Sequence, residues 1–538
     1  ADRRALYVKA CEELEALLLE QVELLKTQPV SHRELERIKK INQRDFLDRM
    51  RSNEDLAGTL ATLEVQIGWR YLNEYLARIA AVTAADIQRV ARHYLHQDNK
   101  TSVYVIPGGS PDKPPATYSE ERTVSSSVAA RAAVSTDRQN NSDFPTPANW
   151  KHPLSFHREP HRIAYPEAQQ TNIMGADVFF FQDDEVPLID ATFLVKAGAV
   201  DLDESQAGLS ALVNSALVRG GTERYAPAEL ATVLDENGIR VAVNVAEEDT
   251  TVSLSVLRDD WEKGIDILAE LLTRPRLDPR VLEAARAQIL MKLDRQAGDA
   301  QTVAIRESMI ERFPNHPYGR DPLAARNVLP KITAGDIREF INTYVVPSNL
   351  KVAVSGDIDR SQVEKGLKRL FDKLPAASPP PRRLQDPQQA PARMTLIHKP
   401  GQVQSQIVLT LPGPKRSHPD YWKNSLLMSV FGGNDSLMYK RLRDDLGLVY
   451  SAGFYQTYKW QAGLLMGYIG CKGDKTADAI LETMKIMSAL RQVVPAADLG
   501  RKRLDALNSF VFNVDTKSDL AAVYGRYALR NEPLNTLD

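Results

Sequence analysis

Arg443 and Tyr450 stand seven residues apart, at the expected end of one helix and the start of a strand. A guanidinium fork and a phenol hydroxyl are good donors to a developing oxyanion. On residue type alone, a surface arginine and a strand tyrosine with no chemical duty fit the spacing as well. The histidines offer less. His93 and His96 are three apart on an expected helix, with no acidic partner fixed nearby. His157 and His161 have the i, i+4 spacing of a helical metal pair, but Pro160 between them argues against a helix. Together with His152 they fall in a stretch that has no framework to fix a metal's geometry. His316, in Asn-His-Pro-Tyr, reads as a loop-structuring residue, and His398 and His418 are single residues beside Pro-containing loops. Cys11 and Cys471 are too few and too far apart for a zinc cluster or a disulfide framework.

The elements that must position these groups belong to several domains, because 538 residues exceed what one core serves. A hydrophobic share of 43% is that of a globular chain, and a net charge of −2 argues against nucleic acid or an anionic membrane as main partner. No apolar run is long enough for a membrane span.

Parts of the chain are written more than once. Val82-Thr83-Ala84-Ala85-Asp86-Ile87 matches Ile332-Thr333-Ala334-Gly335-Asp336-Ile337, and without a gap Tyr94 matches Tyr344 and Asn99 matches Asn349. At a second constant offset, Glu34-Leu35 matches Asp498-Leu499, Phe46 matches Phe510 and Asp55-Leu56-Ala57 matches Asp519-Leu520-Ala521. Spacings this long exceed a solenoid period and point to a domain-sized module used repeatedly. Residues 1–98 read as helices, with a strand at Thr101–Ile106. From about 108 to 165 a Pro-, Ser- and Thr-bearing stretch reads as a linker. Strands at Val178–Phe181 and Ile189–Val195 follow, then a helix at Gln206–Val218 and a hairpin whose turn is Glu247-Glu248-Asp249. Thr333 and Asp336 start a capped helix, and Leu350–Val354 is the strand after it. A Pro-rich break precedes a last module with a strand at Gln406–Leu411 and helices to the end. Hairpins mixed with helices make the class α+β, not doubly wound α/β.

Three motifs carry a resemblance. Gly208-Leu209 runs on to Gly220-Gly221-Thr222-Glu223-Arg224-Tyr225. Asn315-His316-Pro317-Tyr318-Gly319 leads into the capped helix and Val354-Ser355-Gly356-Asp357. Gly432-Gly433 precedes Arg441-Leu442-Arg443 and Gly447-Leu448-Val449-Tyr450-Ser451. In this order the chain resembles the pitrilysin/insulinase family of zinc metallopeptidases, family M16, over nearly all its length outside the linker.

The resemblance implies repeated domains, mostly antiparallel sheet packed with helices, four of which form two halves of a clamshell around a chamber. It implies a catalytic HxxEH, whose two histidines share a helix face and whose Glu activates a zinc-bound water, with a Glu ligand roughly 75 residues later. Aligned on Gly208-Leu209 and Gly221-Thr222, those positions hold Ala211, Asn214 and Ser215, and the later ligand position holds Lys292. Alanine has no donor atom, and a lysine brings positive charge to a cation site. HxxEH and HExxH occur nowhere in the chain. The expected organisation is therefore the end of a second M16 domain (1–107), an inter-half linker (108–165), a third domain with a degenerate zinc motif (166–385) and a fourth (386–538) truncated at its end. The fourth would carry Arg443 and Tyr450 as substrate-binding residues. The chain itself is expected to bind no metal and to cleave nothing. Zinc belongs to an N-terminal half, on the same or a separate polypeptide, and the substrates are peptides. A non-catalytic scaffold, or the inactive partner in a heteromeric complex, is the alternative. The periplasm of a Gram-negative bacterium is the expected compartment, by analogy with relatives of this size.

Overall fold

The computed structural model describes residues 3–106, 149–151, 164–388, 390–433 and 435–537. His152, His157 and His161, and most of the expected linker, lie outside these residues. The chain divides into two units, one of Ala1–Leu35 with Val82–Tyr165, the other of Glu36–Ala81 with Pro166–Asp538.

In the first unit, helix Arg3–Thr27 packs against helix Ala84–Tyr94. Thr83 Oγ1 accepts from the Asp86 amide (3.2 Å), and the Asp86 carboxylate accepts from the Thr83 amide (3.1 Å), so two otherwise orphaned donors are satisfied. Beyond the helix, Asn99 Nδ2 donates to the Tyr94 carbonyl at 3.1 Å. The segment Thr101–Ile106 is not a strand. Its alternation is present, since Lys100, Ser102 and Tyr104 all donate to Glu15 and hold that carboxyl down to about 2. Val103 and Val105 point the other way, to solvent. A strand exists only through a neighbour's hydrogen bonds, and period-two patterning supplies an extended chain without supplying that neighbour.

The second unit contains the other copy. Thr333 and Asp336 form the same capping box, helix Ala334–Tyr344 follows, and Asn349 Nδ2 again reaches the carbonyl of the last helical tyrosine, Tyr344, at 2.9 Å. The second offset is equally structural. Ser52 Oγ caps helix Asn53–Gln66 through the Asp55 amide (3.0 Å), and Thr516 Oγ1 caps helix Lys517–Arg530 through the Asp519 amide (3.1 Å). The repeats thus preserve individual hydrogen bonds as well as residue types.

The chain after Asn349 runs into the larger sheet. Its strands are β1 (Gln169–Ile173), β2 (Ala176–Gln182), β3 (Leu188–Val195), β4 (Arg240–Val245), β5 (Thr250–Leu257) and β6 (Leu350–Gly356), ordered β1-β2-β6-β3-β5-β4. Only β2 and β6 run parallel. One face carries Ile189, Ala191, Phe193, Val252, Leu254, Val256, Val352 and Val354, all essentially buried. Helices Leu209–Ala216, Trp261–Thr273, Pro279–Gly298, Ala334–Tyr344 and Arg360–Phe371 supply the rest of this core. Each Val, Leu, Ile or Phe side chain so removed from water contributes about 1.5–3 kcal/mol. The other face is divided. Helix Lys517–Arg530 lies over β2, β6 and β3, where Gly525 allows close approach to Leu194 and Tyr524 packs on Phe179 and Phe181. Over β3, β5 and β4 the same face is polar, with Asp190, Thr192, Ser253 and Ser255.

A second sheet orders β7 (Gln404–Gly413), β9 (Gly463–Lys472) and β8 (Val449–Tyr458) as β7-β9-β8, all antiparallel. Its core holds Phe431, Met438, Leu442, Phe454, Ile469 and Cys471. Gly432, at the end of helix Tyr421–Gly432, lies so close to Phe454 that a Cβ there would overlap that residue's backbone.

Candidate functional site

Arg443 and Tyr450 are brought together by two local irregularities. After Ser436 caps a short helix, Lys440–Asp445 winds as a π-helical turn, and Met438 and Leu442, both fully buried, hold it to the core. A π-turn widens the backbone and re-aims the residues on its outer side. Gly447, at φ +58°, ends the turn, its amide donating to the Arg443 carbonyl (3.1 Å) while the Leu448 amide reaches Leu442 (2.8 Å). The chain then enters β8 through a bulge. Val449 faces Cys471 and Ser451 faces Gly470, so Tyr450 is the extra residue. A bulge leaves its residue out of the ladder and turns its side chain. Tyr450 is accordingly 47% exposed, between the inward Val449 and a second outward residue, Ser451.

Arg443 does not point away from this strand. Its Nη1 donates to the Tyr450 carbonyl and to the Val449 carbonyl (3.3 Å). The guanidinium thus grips the two carbonyls the bulge displaces and sets the main chain that presents Tyr450. The Tyr450 hydroxyl makes no hydrogen bond among the described residues and is free to donate. Arg441, two residues before, is engaged elsewhere, with Asp445 (3.5 Å) and Glu482 (3.7 Å). Arg443, and not Arg441, is the one bonded to the main chain of Tyr450.

The zinc-motif positions assemble differently. The helix carrying Ala211, Asn214 and Ser215 packs against the helix carrying Lys292, so the two-helix frame is present. The donors do not fit a metal. Ala211 packs on the core, and Lys292 is exposed. Both polar atoms of the Asn214 amide are committed to Val245, accepting from its N–H (2.6 Å) and donating to its carbonyl (3.2 Å). Among the described residues no three His, Cys, Asp or Glu stand close enough to hold a metal ion. His316 instead shapes a turn, with Nδ1 accepting from the Tyr318 amide (3.2 Å) and Nε2 bonded to the Gln385 carbonyl (2.9 Å).

One cluster was not legible as a cluster. Glu248 reads from sequence as a solvated turn residue, yet it is only 9% exposed. It accepts from the Tyr318 hydroxyl and from the Trp460 amide (2.7 Å), and the Tyr318 oxygen accepts from the Gln461 amide (3.2 Å). Lys459 pairs with Glu247, and Arg382 lies over the Trp460 ring at 4.5 Å while holding Asp201 with two bonds. The tip of the β8–β9 hairpin is thereby fastened to the larger-sheet module. Burial pushes the Glu248 carboxyl up, against the hydrogen bonds that pull it down, and pushes the Tyr318 phenol far above its ordinary range. The available signal was Lys459-Trp460-Gln461, a large polar-and-aromatic tip between two apolar strands.

The insulinase (peptidase family M16) model matches residues 182–324, and the peptidase M16 inactive domain model matches residues 331–504, together more than half of the chain. An uncharacterized zinc protease of Streptomyces coelicolor is 26% identical over 302 residues, covering 54% of this chain. The chain spans 65% of that relative's length. The non-peptidase homolog YmxG of Helicobacter pylori is 23% identical over 323 residues, 59% of this chain and 74% of its own. In fold, the chain is similar to a peptidase M16 inactive domain from Pseudomonas fluorescens, with TM-score 0.62, 21% identity, and coverage of 69% of this chain and 90% of that one. Matched motifs, two adjoining family models and a shared α+β fold lead to one conclusion: this chain belongs to peptidase family M16.

Proposed function

We propose that the chain is the metal-free, substrate-gripping portion of an M16 peptidase. The observation that carries this reading is the presentation of Tyr450. A bulge turns it outward, Arg443 fixes its main chain, and its hydroxyl has no other duty. A phenol so placed donates to a peptide carbonyl and donates more strongly as that oxygen gains charge. Arg443 is here a positioning residue, with further guanidinium donors left over for substrate. The partner is an N-terminal M16 half, in the same polypeptide or a separate one, which brings the metal and the general base. Family relatives named as zinc proteases support the whole-protein reading.

A second reading is favoured by one relative's name, a non-peptidase homolog. On it the chain is a scaffold or an inactive partner subunit. Kinetics of the protein combined with its zinc-bearing half separate the two. Tyr450→Phe should lower kcat by about ten- to hundredfold with zinc content unchanged. Arg443→Ala, which loosens the bulge, should lower kcat/KM by a similar factor. Wild-type turnover in both variants would leave the scaffold reading standing.

A further inference from the structure

The polar half of the larger sheet's second face opens onto a cleft of about 950 Å³. Its floor is formed by Ser253, Ser255 and Asp190, and helix His32–Arg49 contributes Arg44, Asp48 and, just beyond its end, Arg51. One wall is apolar, with Val218, Pro227, Ala231 and Leu234, most of it from helix Pro227–Glu236. Every carboxylate lining the cleft is already neutralised. Asp190 pairs with Arg51, Asp48 with Arg240 (3.2 Å) and Arg51 (3.4 Å), and Asp235 with Arg37 (2.7 Å).

Two guanidiniums of the cleft lining make no direct ion pair among the described residues. Arg44 is 3% exposed, and among the described residues its only hydrogen-bond partner is the Ser255 hydroxyl, to which Nη2 donates at 3.0 Å. Its Nε is buried with no acceptor among the described residues. Arg219, exposed at the cleft's edge, has neither ion pair nor hydrogen bond among the described residues. The position of Arg44 is built. Its stem packs against Gly238, where a Cβ would already touch the Arg44 Cδ at 3.4 Å and the backbone has φ +57°. Asp48, Asp190 and Asp45 attract Arg44 without forming an ion pair with it; a desolvated guanidinium with no carboxylate bonded to it is costly to fold, and an anion delivered later offsets that cost.

We propose that this cleft binds an apolar acid, its carboxylate received by Arg44 with Arg219 attracting it at the rim, and its hydrocarbon part lying on the wall of helix Pro227–Glu236. Burial, followed by the nearby Arg240 charge, lowers the Arg44 guanidinium to about 10, against the pull of Asp48, Asp190 and Asp45. The volume suits a small ligand, and guanidinium–carboxylate pairs are among the stronger hydrogen-bonded contacts. A peptide C-terminus with a hydrophobic side chain and a medium-chain fatty acid share this chemistry.

Isothermal titration of the 538-residue chain tests it, with N-acetyl-leucine, octanoate, N-acetyl-leucine methyl ester and inorganic phosphate as probes. Saturable binding of N-acetyl-leucine alone assigns a peptide carboxyl, of octanoate alone a fatty acid, and either supports the site. The ester should bind at least about tenfold more weakly than the acid. Arg219→Glu, on the surface and harmless to folding, should weaken acid binding by about tenfold. Arg44→Met, which keeps the stem and removes the charge, should abolish it. The proposal is overturned if neither acid binds at millimolar concentration, if the ester binds as well as the acid, or if Arg219→Glu leaves affinity unchanged. It is equally overturned if phosphate binds as tightly as the apolar acids, because the wall would then have no part.

Discussion

Replacing Tyr318 by Phe tests whether the buried joint beneath the β8–β9 hairpin tip holds as described. Tyr318 is 3% exposed, so the ring stays packed and only the hydroxyl is lost. Two hydrogen bonds go with it, the donation to Glu248 and the acceptance from the Gln461 amide. The Trp460 amide still donates to the carboxylate at 2.7 Å, so the charge is weakened in its solvation and not stripped of it. A hydrogen bond to a charged group is worth about 1.5–3 kcal/mol, and an amide left unsatisfied costs about 1 kcal/mol more. With partial relaxation, roughly 2–3 kcal/mol of local stability at the tip should disappear, which is about a 30- to 150-fold rise in local opening. Hydrogen exchange followed by mass spectrometry reads this opening directly. The peptide containing Trp460 and Gln461 should lose protection by that factor, while helix Trp261–Thr273, far inside the larger core, should change much less. Exchange at the tip within twofold of wild type would refute the assignment of these bonds as what fastens the two modules.

Glu248→Gln probes the same joint through pH. Burial raises the folded carboxyl above its ordinary 4.5, despite the Tyr318 and Trp460 donors and Lys459, with Glu247 adding to the rise. The folded state therefore holds the proton more tightly, and the stability this contributes is full below pH 4.5 and lost as pH rises through the folded value. The Gln variant, neutral at every pH, should gain in Tm relative to wild type between pH 4.5 and neutrality; a pH-independent difference contradicts the burial argument. Gly432→Ala forces a Cβ into Phe454 and should cost about 2–3 kcal/mol in thermal denaturation, whereas Gly500→Ala, with open space around it in helix Ala496–Phe510, should stabilise by about 0.5–1 kcal/mol. The repeated asparagine offers a matched pair: Asn349→Ala, buried, should cost about 1–2 kcal/mol, and Asn99→Ala, exposed, under about 0.5 kcal/mol, though each loses the same bond to a tyrosine carbonyl. Equal costs would show that burial does not set the value of that bond.

What could be read from the sequence was whatever is encoded locally. The capping boxes at Thr83 and Thr333 need only a threonine and an aspartate three residues on, and the β4–β5 hairpin needs only alternation around a polar turn. Repetition extended the reading, because a copied residue pattern carried a copied hydrogen bond. Features that depend on distant partners were not legible. Helix Ala300–Arg312 buries no residue fully, so its apolar positions show no sharp stripe in the sequence. Strand β1, Gln169–Ile173, is polar and largely exposed at a sheet edge, and between the expected linker and the expected strand at Val178 the sequence marks no element there. The π-turn at Lys440–Asp445 has the composition of an α-helix, and the bulge at Tyr450 leaves no mark in residue type. Glu248 reads as solvated because its burial is imposed by Tyr318 and Trp460, 70 and 212 residues away. The Arg44 cleft is of the same kind, created by a helix far along the chain from the strands it faces.

On the proposed function, the chain carries no catalytic metal of its own. Zinc content of the purified 538-residue chain, measured after dialysis against a zinc-containing buffer alongside hydrolysis of a fluorogenic peptide with and without chelator, tests it most directly. No stoichiometric zinc and no chelator-sensitive cleavage are predicted, because Asn214 is committed to Val245 and Lys292 replaces an acid. One tightly held zinc per chain, accompanied by cleavage that the chelator abolishes, would contradict it.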